Sequence, residues 1–356
     1  MEFEFTEDQG LLRDSVRRLL AKEYTFERRP RILASTYGFD ARIWRLFARE
    51  GLLRLGLPEN GGPVDLMLVM EELGRSLVLE PYMSTVIVGA GLISERGTVA
   101  QRARLLPKIA AGECRIALAH LEPGSRYVLD RVGTFALRGG GSYLLNGTKT
   151  AVADAPAADM LIVSARDEAV GGLSLFMLAP DTPGLSINRY RTPDGRSAAD
   201  ITLEGVKVPS AARLGSPGFA LTGLERAADR ALAALCSEAV GVMEGIIDVG
   251  RPVLRNGVIE LLAMTLGARS VSYLAAQLCR EPDRCIRRRA LAGARAFLAD
   301  ATRFVGEKTL LLQDTGTPAA AVAARYYSGR LSAINAALGN VDAERLAVSE
   351  LLGEVS

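Results

Sequence analysis

Apolar positions recur at helical spacing through the first third of the chain. Thr6, followed by Glu7 and Asp8, can cap a helix that carries Leu11, Leu12, Val16, Leu19 and Leu20. A second helix is predicted around Ile43, Trp44, Leu46, Phe47 and Leu52, stopping near Gly51. The run Pro58-Glu59-Asn60-Gly61-Gly62-Pro63 is dense in breakers and reads as a loop. Helical spacing resumes at Val64 and is predicted to continue until Pro81 breaks it, and a further helix spans Val99 to Ala111 before Gly112.

From Cys114 the period changes. Ile116 to His120 meets a turn at Pro123-Gly124, and Gly139-Gly140-Gly141 precedes the extended run Tyr143-Leu144-Leu145. The triplet predicts a hairpin, since no phosphate-binding helix follows it, and Asn146-Gly147 gives a second hairpin signal. Met160 to Ala165, Leu173 to Leu178, Leu185 to Tyr190 and Asp200 to Val208 complete a set of short strands suited to a small barrel or sandwich. From Phe219 the chain is helical again and rich in alanine and leucine. Helices are predicted over Leu221 to Val249, Ile259 to Leu278, Cys285 to Leu312, Ala319 to Leu338 and Val341 to Leu352, with Arg251-Pro252 and Asn256-Gly257 as interruptions. The order α, β, α divides the chain into an N-terminal helical domain (1–115), a central β-domain (116–215) and a C-terminal helical domain (216–356) of four-helix type, an α+β fold.

Composition narrows the classes. With 356 residues, 49% hydrophobic and 24% charged, the chain reads as globular rather than disordered. No uncharged apolar run suffices to span a bilayer, and the acidic start MEFEFTEDQG lacks the features of a signal peptide, so a cytoplasmic protein is expected. Lys plus Arg (43) nearly balances Asp plus Glu (41), which gives no general argument for nucleic acid or membrane. Cys114, Cys236, Cys279 and Cys285 form no C-x-x-C pair and there is one histidine, so no metal site is expected and buried thiols are the simpler reading.

The inventory of reactive groups is thin. His120, beside a β-turn, reads as structural rather than as a general base. There is no nucleophile elbow, P-loop or zinc-binding helix. Arg287-Arg288-Arg289, within a predicted helix, reads as a solvated face.

Five local words in the right order nevertheless carry a resemblance. FEFTEDQGLLRDSVRRLL, LGLPENGG, EELGRSLVLEP, LNGTKTAVADAPAADMLIVSAR and ITLEGVKVPSAARLG resemble successive segments of the acyl-CoA dehydrogenase family, most of all the small subunits of pimeloyl-CoA and steroid side-chain dehydrogenases. The resemblance implies that fold, FAD, and α,β-desaturation of an acyl-CoA thioester in lipid catabolism. It also implies a homologous partner chain in a heterotetramer and an electron-transfer flavoprotein as electron acceptor. The reaction needs a carboxylate to remove the α-proton and a flavin to accept the β-hydride.

Set against that pattern, the chain departs where chemistry is expected. In LLLQDTGTPAAAVAARYY the catalytic acid would fall at Ala321, and Ala319 to Ala323 holds no carboxylate. The other family position for the acid, on the first long helix of the last domain, falls at Ala231. Asp229, Glu238 and Glu244 share that helix, but only Glu238, two turns on, shares its face. The family's R-x-x-F-G-x-P motif has no counterpart in VGRPVLRNGVIELL, and Asp314 would repel a pyrophosphate. On the flavin side a threonine is replaced by Leu121, and an aromatic-x-Thr pair by Ala151 and Ala153. Contacts there would be backbone ones, at His120, Leu121 and Ala153. The expectation is a subunit poor in catalysis by itself, acting on a bulky or dicarboxylic acyl-CoA beside an active partner. The alternatives are a homomeric enzyme with a relocated base and a non-enzymatic scaffold or acyl-binding module. The alanine-rich C-terminal helices are expected to form the core of a dimer of dimers.

Overall fold

The computed structural model describes residues 5–125, 128–254, 257–315 and 317–339. The predicted helix from Val341 to Leu352 lies outside them. The chain packs into two compact units built from separated segments: Met1–Pro30, Gly62–Val78 and Asp229–Ser356 form one, and Arg31–Gly61 with Leu79–Ala228 the other.

The helical unit begins with α1 (Glu7–Glu23), whose Thr6 cap is reciprocal, the hydroxyl accepting from the Gln9 amide while the Gln9 side chain accepts from that of Thr6. α4 (Pro63–Arg75) starts on Pro63 with Asp65 accepting from the Gly62 amide. It stops well before Pro81, because Leu77 takes a left-handed conformation (φ 51°) and the amides of Leu77 and Val78 close back on Gly74 and Leu73. Leu77 is buried in the helical core, and that burial offsets the strain of a branched residue at positive φ. The predicted continuation to Pro81 is corrected accordingly.

The later helices are α7 (Ala220–Leu254), α8 (Gly257–Leu278), α9 (Arg284–Thr315) and α10 (Pro318–Leu338). α7 runs through Arg251-Pro252 to Leu254 instead of breaking there. The core joins Val240, Met243 and Ile246 of α7 to Leu261 and Ala268 of α8, Leu298 and Val305 of α9, and Leu331 and Ile334 of α10. Val258–Leu278 is long and apolar enough to cross a membrane by length and composition, but it contains Glu260 and Arg269, and it buries Leu261, Ala268 and Ala275 in this core. Its opposite face leaves Ile259, Leu262, Leu266 and Leu274 exposed.

The second unit holds short helices around one sheet. α2 (Arg29–Leu33), most of it in this unit, leads to α3 (Ala41–Arg49), which is capped by Asp40 and followed by Gly51 in the left-handed region. A π-helical segment, Met83–Gly89, which periodicity did not predict, precedes α5 (Ala90–Arg96) and α6 (Val99–Ala110). The strands are β1 (Ile116–Ala119), β2 (Phe135–Gly139), β3 (Ser142–Ala153), β4 (Met160–Asp167), β5 (Gly172–Leu178), β6 (Leu185–Arg191), β7 (Ser197–Pro209) and β8 (Arg213–Leu214). They form a single eight-stranded sheet in the order β6-β7-β3-β2-β4-β5-β8, with β1 also on β4. β1 and β2 pair parallel to successive stretches of β4, and the other pairings are antiparallel. A helical N-terminal part, a central sheet and a helical C-terminal part make up the expected α+β fold.

The two turn signals resolve differently. Gly140 (φ 54°) and Gly141 (φ 78°) make the β2–β3 turn, with Gly139 opposite Ser142. Asn146-Gly147 is no hairpin: it lies inside β3, where the register against β7 slips between Leu145 and Gly147. The side chain of Asn146 accepts from the Gly205 amide at 2.7 Å, and a Cβ on Gly147 would collide with Thr134.

Candidate functional site

In the sheet unit, polar groups gather where β1 ends. Thr85 of the π-helical segment brackets the first residue of β1, its hydroxyl accepting from the Ile116 amide (3.0 Å) and donating to the Ile116 carbonyl (3.3 Å). The next residues after β1 are His120, Leu121 and Glu122. The register Ala119 opposite Val163 sets His120 beside Ser164 of β4, Nδ1 to Oγ 2.9 Å. Lys149 of β3, fully buried, sends its ammonium to Glu122 Oε1 (2.6 Å), Ser164 Oγ (3.0 Å) and the His120 carbonyl (3.3 Å). All three of its N–H donors are thereby matched. Glu122 also accepts from the amides of Gly133 (2.6 Å) and Thr134 (3.0 Å).

Electrostatics follow from that arrangement. Lys149 can only donate, so Ser164 accepts from it, and the same hydroxyl shares a hydrogen bond with His120 Nδ1. Burial first, and the Lys149 charge second, push His120 down to about 4. Burial also lowers Lys149, to about 8, although Glu122 opposes the shift. Burial by itself would raise Glu122, but Lys149 and the two amides hold it below the ordinary carboxylate value. At neutral pH the cluster is an ion pair beside a neutral imidazole. His120 is thus buried and neutral at that pH, in contact with Ser164.

Several backbone groups next to these positions are already hydrogen-bonded. The Leu121 carbonyl accepts from the Thr150 amide at 2.8 Å. Ala151 stands at φ 51°, its amide donating to Asp200 (3.0 Å), which also accepts from the hydroxyls of Thr150 (2.9 Å) and Tyr190 (3.2 Å). The Asp154 amide donates to the Ser197 carbonyl, and its side chain accepts from Ser84. Ala153, opposite Ala198 of β7, contributes no polar side-chain atom. The residues at Leu121, Ala151 and Ala153 therefore do not fit a flavin gripped by this chain's own side chains, and the amides of Thr150, Ala151 and Asp154 are already engaged.

The second set of positions lies in the helical unit. Ala231 is half-buried on α7. Ala321 is half-buried in the first turn of α10, its amide donating to the carbonyl of the N-cap residue Thr317. Three carboxylates of α7 meet arginines from three different later helices. Asp229 accepts from Arg287 of α9 (2.7 Å) and Glu244 pairs with Arg269 of α8 (2.6 Å). Glu238, almost fully buried, takes both arms of Arg330 of α10 at 2.8 and 2.7 Å. A carboxylate held bidentate by a guanidinium is a weak proton acceptor.

These pairs escape sequence reading, because the partners are 58, 25 and 92 residues away. Of the arginine triplet read as a solvated face, Arg288 and Arg289 are exposed, whereas Arg287 is buried in its pair, which corrects the reading for that residue. Cys285 is exposed while the other three cysteines are buried, so buried thiols hold for those three alone. The side chain of Asp314, Gly316 and the pair Arg255-Asn256 lie outside the described residues. No group of His, Cys, Asp and Glu side chains suited to a metal ion occurs among the described residues. The Lys149–Glu122 pair had one legible signal: Lys149 shares the inward parity of Tyr143 and Leu145 on β3, an apolar position occupied by a charge.

Comparison with known proteins gives the same family in two adjacent parts of the chain. The acyl-CoA dehydrogenase N-terminal domain matches residues 6–113, and the acyl-CoA dehydrogenase middle domain matches residues 117–206. An acyl-CoA dehydrogenase of Bacillus subtilis (strain 168) is 25% identical over 328 residues, 83% of this chain and 85% of that protein. The NADH-dependent acryloyl-CoA reductase of Anaerotignum propionicum is 26% identical over 263 residues, 70% of this chain and 66% of that protein. Among solved structures, a variant of the Tcur3481-Tcur3483 steroid ACAD aligns with a TM-score of 0.83 and 26% identity over 98% of both chains. The ChsE4-ChsE5 complex of Mycobacterium tuberculosis aligns with a TM-score of 0.81 and 20% identity over 99% of both chains, which shows the shared fold.

Proposed function

Because the chain belongs to the acyl-CoA dehydrogenase family, we propose that it is the catalytically degenerate subunit of a heteromeric, FAD-dependent acyl-CoA dehydrogenase, with the catalytic acid and the flavin clamps supplied by a homologous partner chain. One observation carries this reading: the two family positions for the acid are Ala231 and Ala321, and the one acid on the Ala231 face, Glu238, is locked to Arg330. Two similar structures are named as pairs of chains, a steroid ACAD among them, which supports a partner subunit and a bulky acyl-CoA. The exposed row Ile259, Leu262, Leu266 and Leu274 on α8 supplies an apolar face suited to a subunit contact. The amides and side chains around Leu121, Ala151 and Ala153 favour a chain that does not hold FAD alone.

The test is expression with and without a homologous acyl-CoA dehydrogenase chain from the same source. Alone, the protein should carry no stoichiometric flavin and reduce no artificial electron acceptor with any acyl-CoA. Ala321→Glu by itself should not change that, since general-base catalysis, typically about 10²–10⁴-fold, needs a bound and oriented substrate and acceptor. With the partner, flavin and turnover should appear together and survive Glu238→Gln. Stoichiometric flavin in the isolated chain, with turnover abolished by Glu238→Gln, would establish a homomeric enzyme with a relocated base instead. A colourless complex would favour the scaffold.

A further inference from the structure

A buried carboxylate cluster in the helical unit has no place in the reading above. It centres on Glu71 of α4, 3% exposed. Its Oε2 lies 3.4 Å from Arg269 Nε of α8, and its Oε1 is buried with no hydrogen-bond partner among the described residues. The better contact of Arg269 goes to Glu244 of α7, at 2.6 Å. The adjacent Glu72 takes Arg17 of α1 in two bonds of 2.6 and 3.0 Å. These three carboxylates face two guanidinium groups, so one negative charge is left over when all are ionised, and Glu71 has the poorest compensation. Two other charged groups on these helices are matched elsewhere: Arg75 of α4 with Asp248 of α7, and Glu238 of α7 with Arg330.

The backbone leaves the cluster no room to relax. α4 and α7 cross in main-chain contact, since a Cβ on Gly241 would strike the Glu71 carbonyl and one on Gly74 would strike that of Glu238. Charge at Glu71 has no full counterion in this packing, and an uncompensated buried charge is strongly destabilising.

We propose that Glu71 is a proton-linked latch: neutral, it lets α4 close on α7 and α8, and its ionisation loosens that packing. Burial first, opposed by Arg269 and reinforced by Glu244 and Glu72, raises Glu71 from 4.5 to about 7. A carboxyl whose folded value is raised adds stability that is complete below its unfolded value and is lost as pH climbs through the folded one. The window therefore runs from the ordinary glutamate range to neutrality.

The experiment is urea denaturation of the full chain, with its partner if it has one, at about pH 5 and about pH 8, for the wild type, Glu71→Gln and Glu244→Gln. Over that interval the folded-to-unfolded ratio of the wild type should fall about 10²-fold further than that of Glu71→Gln. The two should match at the acid end, with Glu71→Gln the more stable at the alkaline end. Glu244→Gln removes a like charge and frees Arg269 for Glu71, so its transition should move to lower pH. If Glu71→Gln does not fold, infrared spectra of the wild type still decide the matter: a protonated-carboxyl stretch should be present near pH 6 and absent near pH 9. Parallel pH profiles, a Glu71→Gln chain less stable at about pH 8, an unmoved Glu244→Gln transition or a missing carboxyl band would each overturn the latch.

Discussion

Each unit holds a cluster of buried charge, and the two clusters differ in how well that charge is met. The sheet unit encloses one lysine, and every N–H of Lys149 meets an oxygen while Glu122 collects two backbone amides besides. The helical unit encloses Glu71, Glu72 and Glu244 against Arg17 and Arg269, and leaves an oxygen of Glu71 unmatched among the described residues. The difference has a physical origin. Where β1 ends and β2 begins, main-chain amides are free to turn toward a carboxylate. Inside helices, each amide past the first turn is already bonded four residues back, so only side chains from other helices can answer a buried charge. Sheet edges can solvate an ion with backbone, whereas helix crossings must import an arginine for each acid.

That contrast can be broken most forcefully at the helix crossing. Gly241→Ala places a methyl group on the Glu71 carbonyl, a main-chain atom that cannot swing aside. Overpacking that side chains can absorb costs about 1–3 kcal/mol, so this variant should lose more than about 4 kcal/mol or fail to accumulate as folded protein. Thermal melts would show it, and a melting point within a few degrees of wild type would mean that α4 and α7 are not in main-chain contact.

A smaller loss is expected in the sheet. Lys149→Met should cost about 3 kcal/mol at neutral pH, because Glu122 keeps its charge and its burial but loses its counterion. The double variant Lys149→Met with Glu122→Gln should regain at least half of that. Urea midpoints measure both, and a double variant no better than the single one would show that the pair holds the strands in place through geometry rather than charge.

The smallest effect belongs to His120 and is confined to acid. Its folded value of about 4 lies below the ordinary 6.5, so its contribution is complete above 6.5 and is lost as pH falls through 4. His120→Asn should match the wild type near pH 7.5, and near pH 5 should escape a penalty of about 2 kcal/mol that the wild type bears. Identical stability curves for the two proteins would mean that folding leaves the proton affinity of the imidazole unchanged.

Much of this molecule is legible along the chain. The capping box at Thr6, the helical rows in α3 and α7 and the glycine turn at Gly140-Gly141 all follow from local rules that act over a few residues. The five words that resemble acyl-CoA dehydrogenases overlap the family matches over residues 6–113 and 117–206. Legibility ended where two local rules competed with burial. Leu77 accepted a left-handed backbone so that its side chain could join the core, ending α4 early. Asn146-Gly147 carries a strong turn signal, yet the pairing of β3 with β7 on one side and β2 on the other held it in a bulge.

By itself, then, the sequence determined most of the long helices, the order of helical and extended regions, the alanines at Ala231 and Ala321, and the family. These depend on spacing and on residue type, which the chain carries openly. Only the tertiary structure decided that Glu238 belongs to Arg330, that Lys149 is answered by Glu122 and Ser164, and that Glu71 is the carboxylate left over. The state of a buried charge depends on which atoms surround it within a few ångströms, and residues as far apart as Glu238 and Arg330 are brought that close by packing, not by order along the chain.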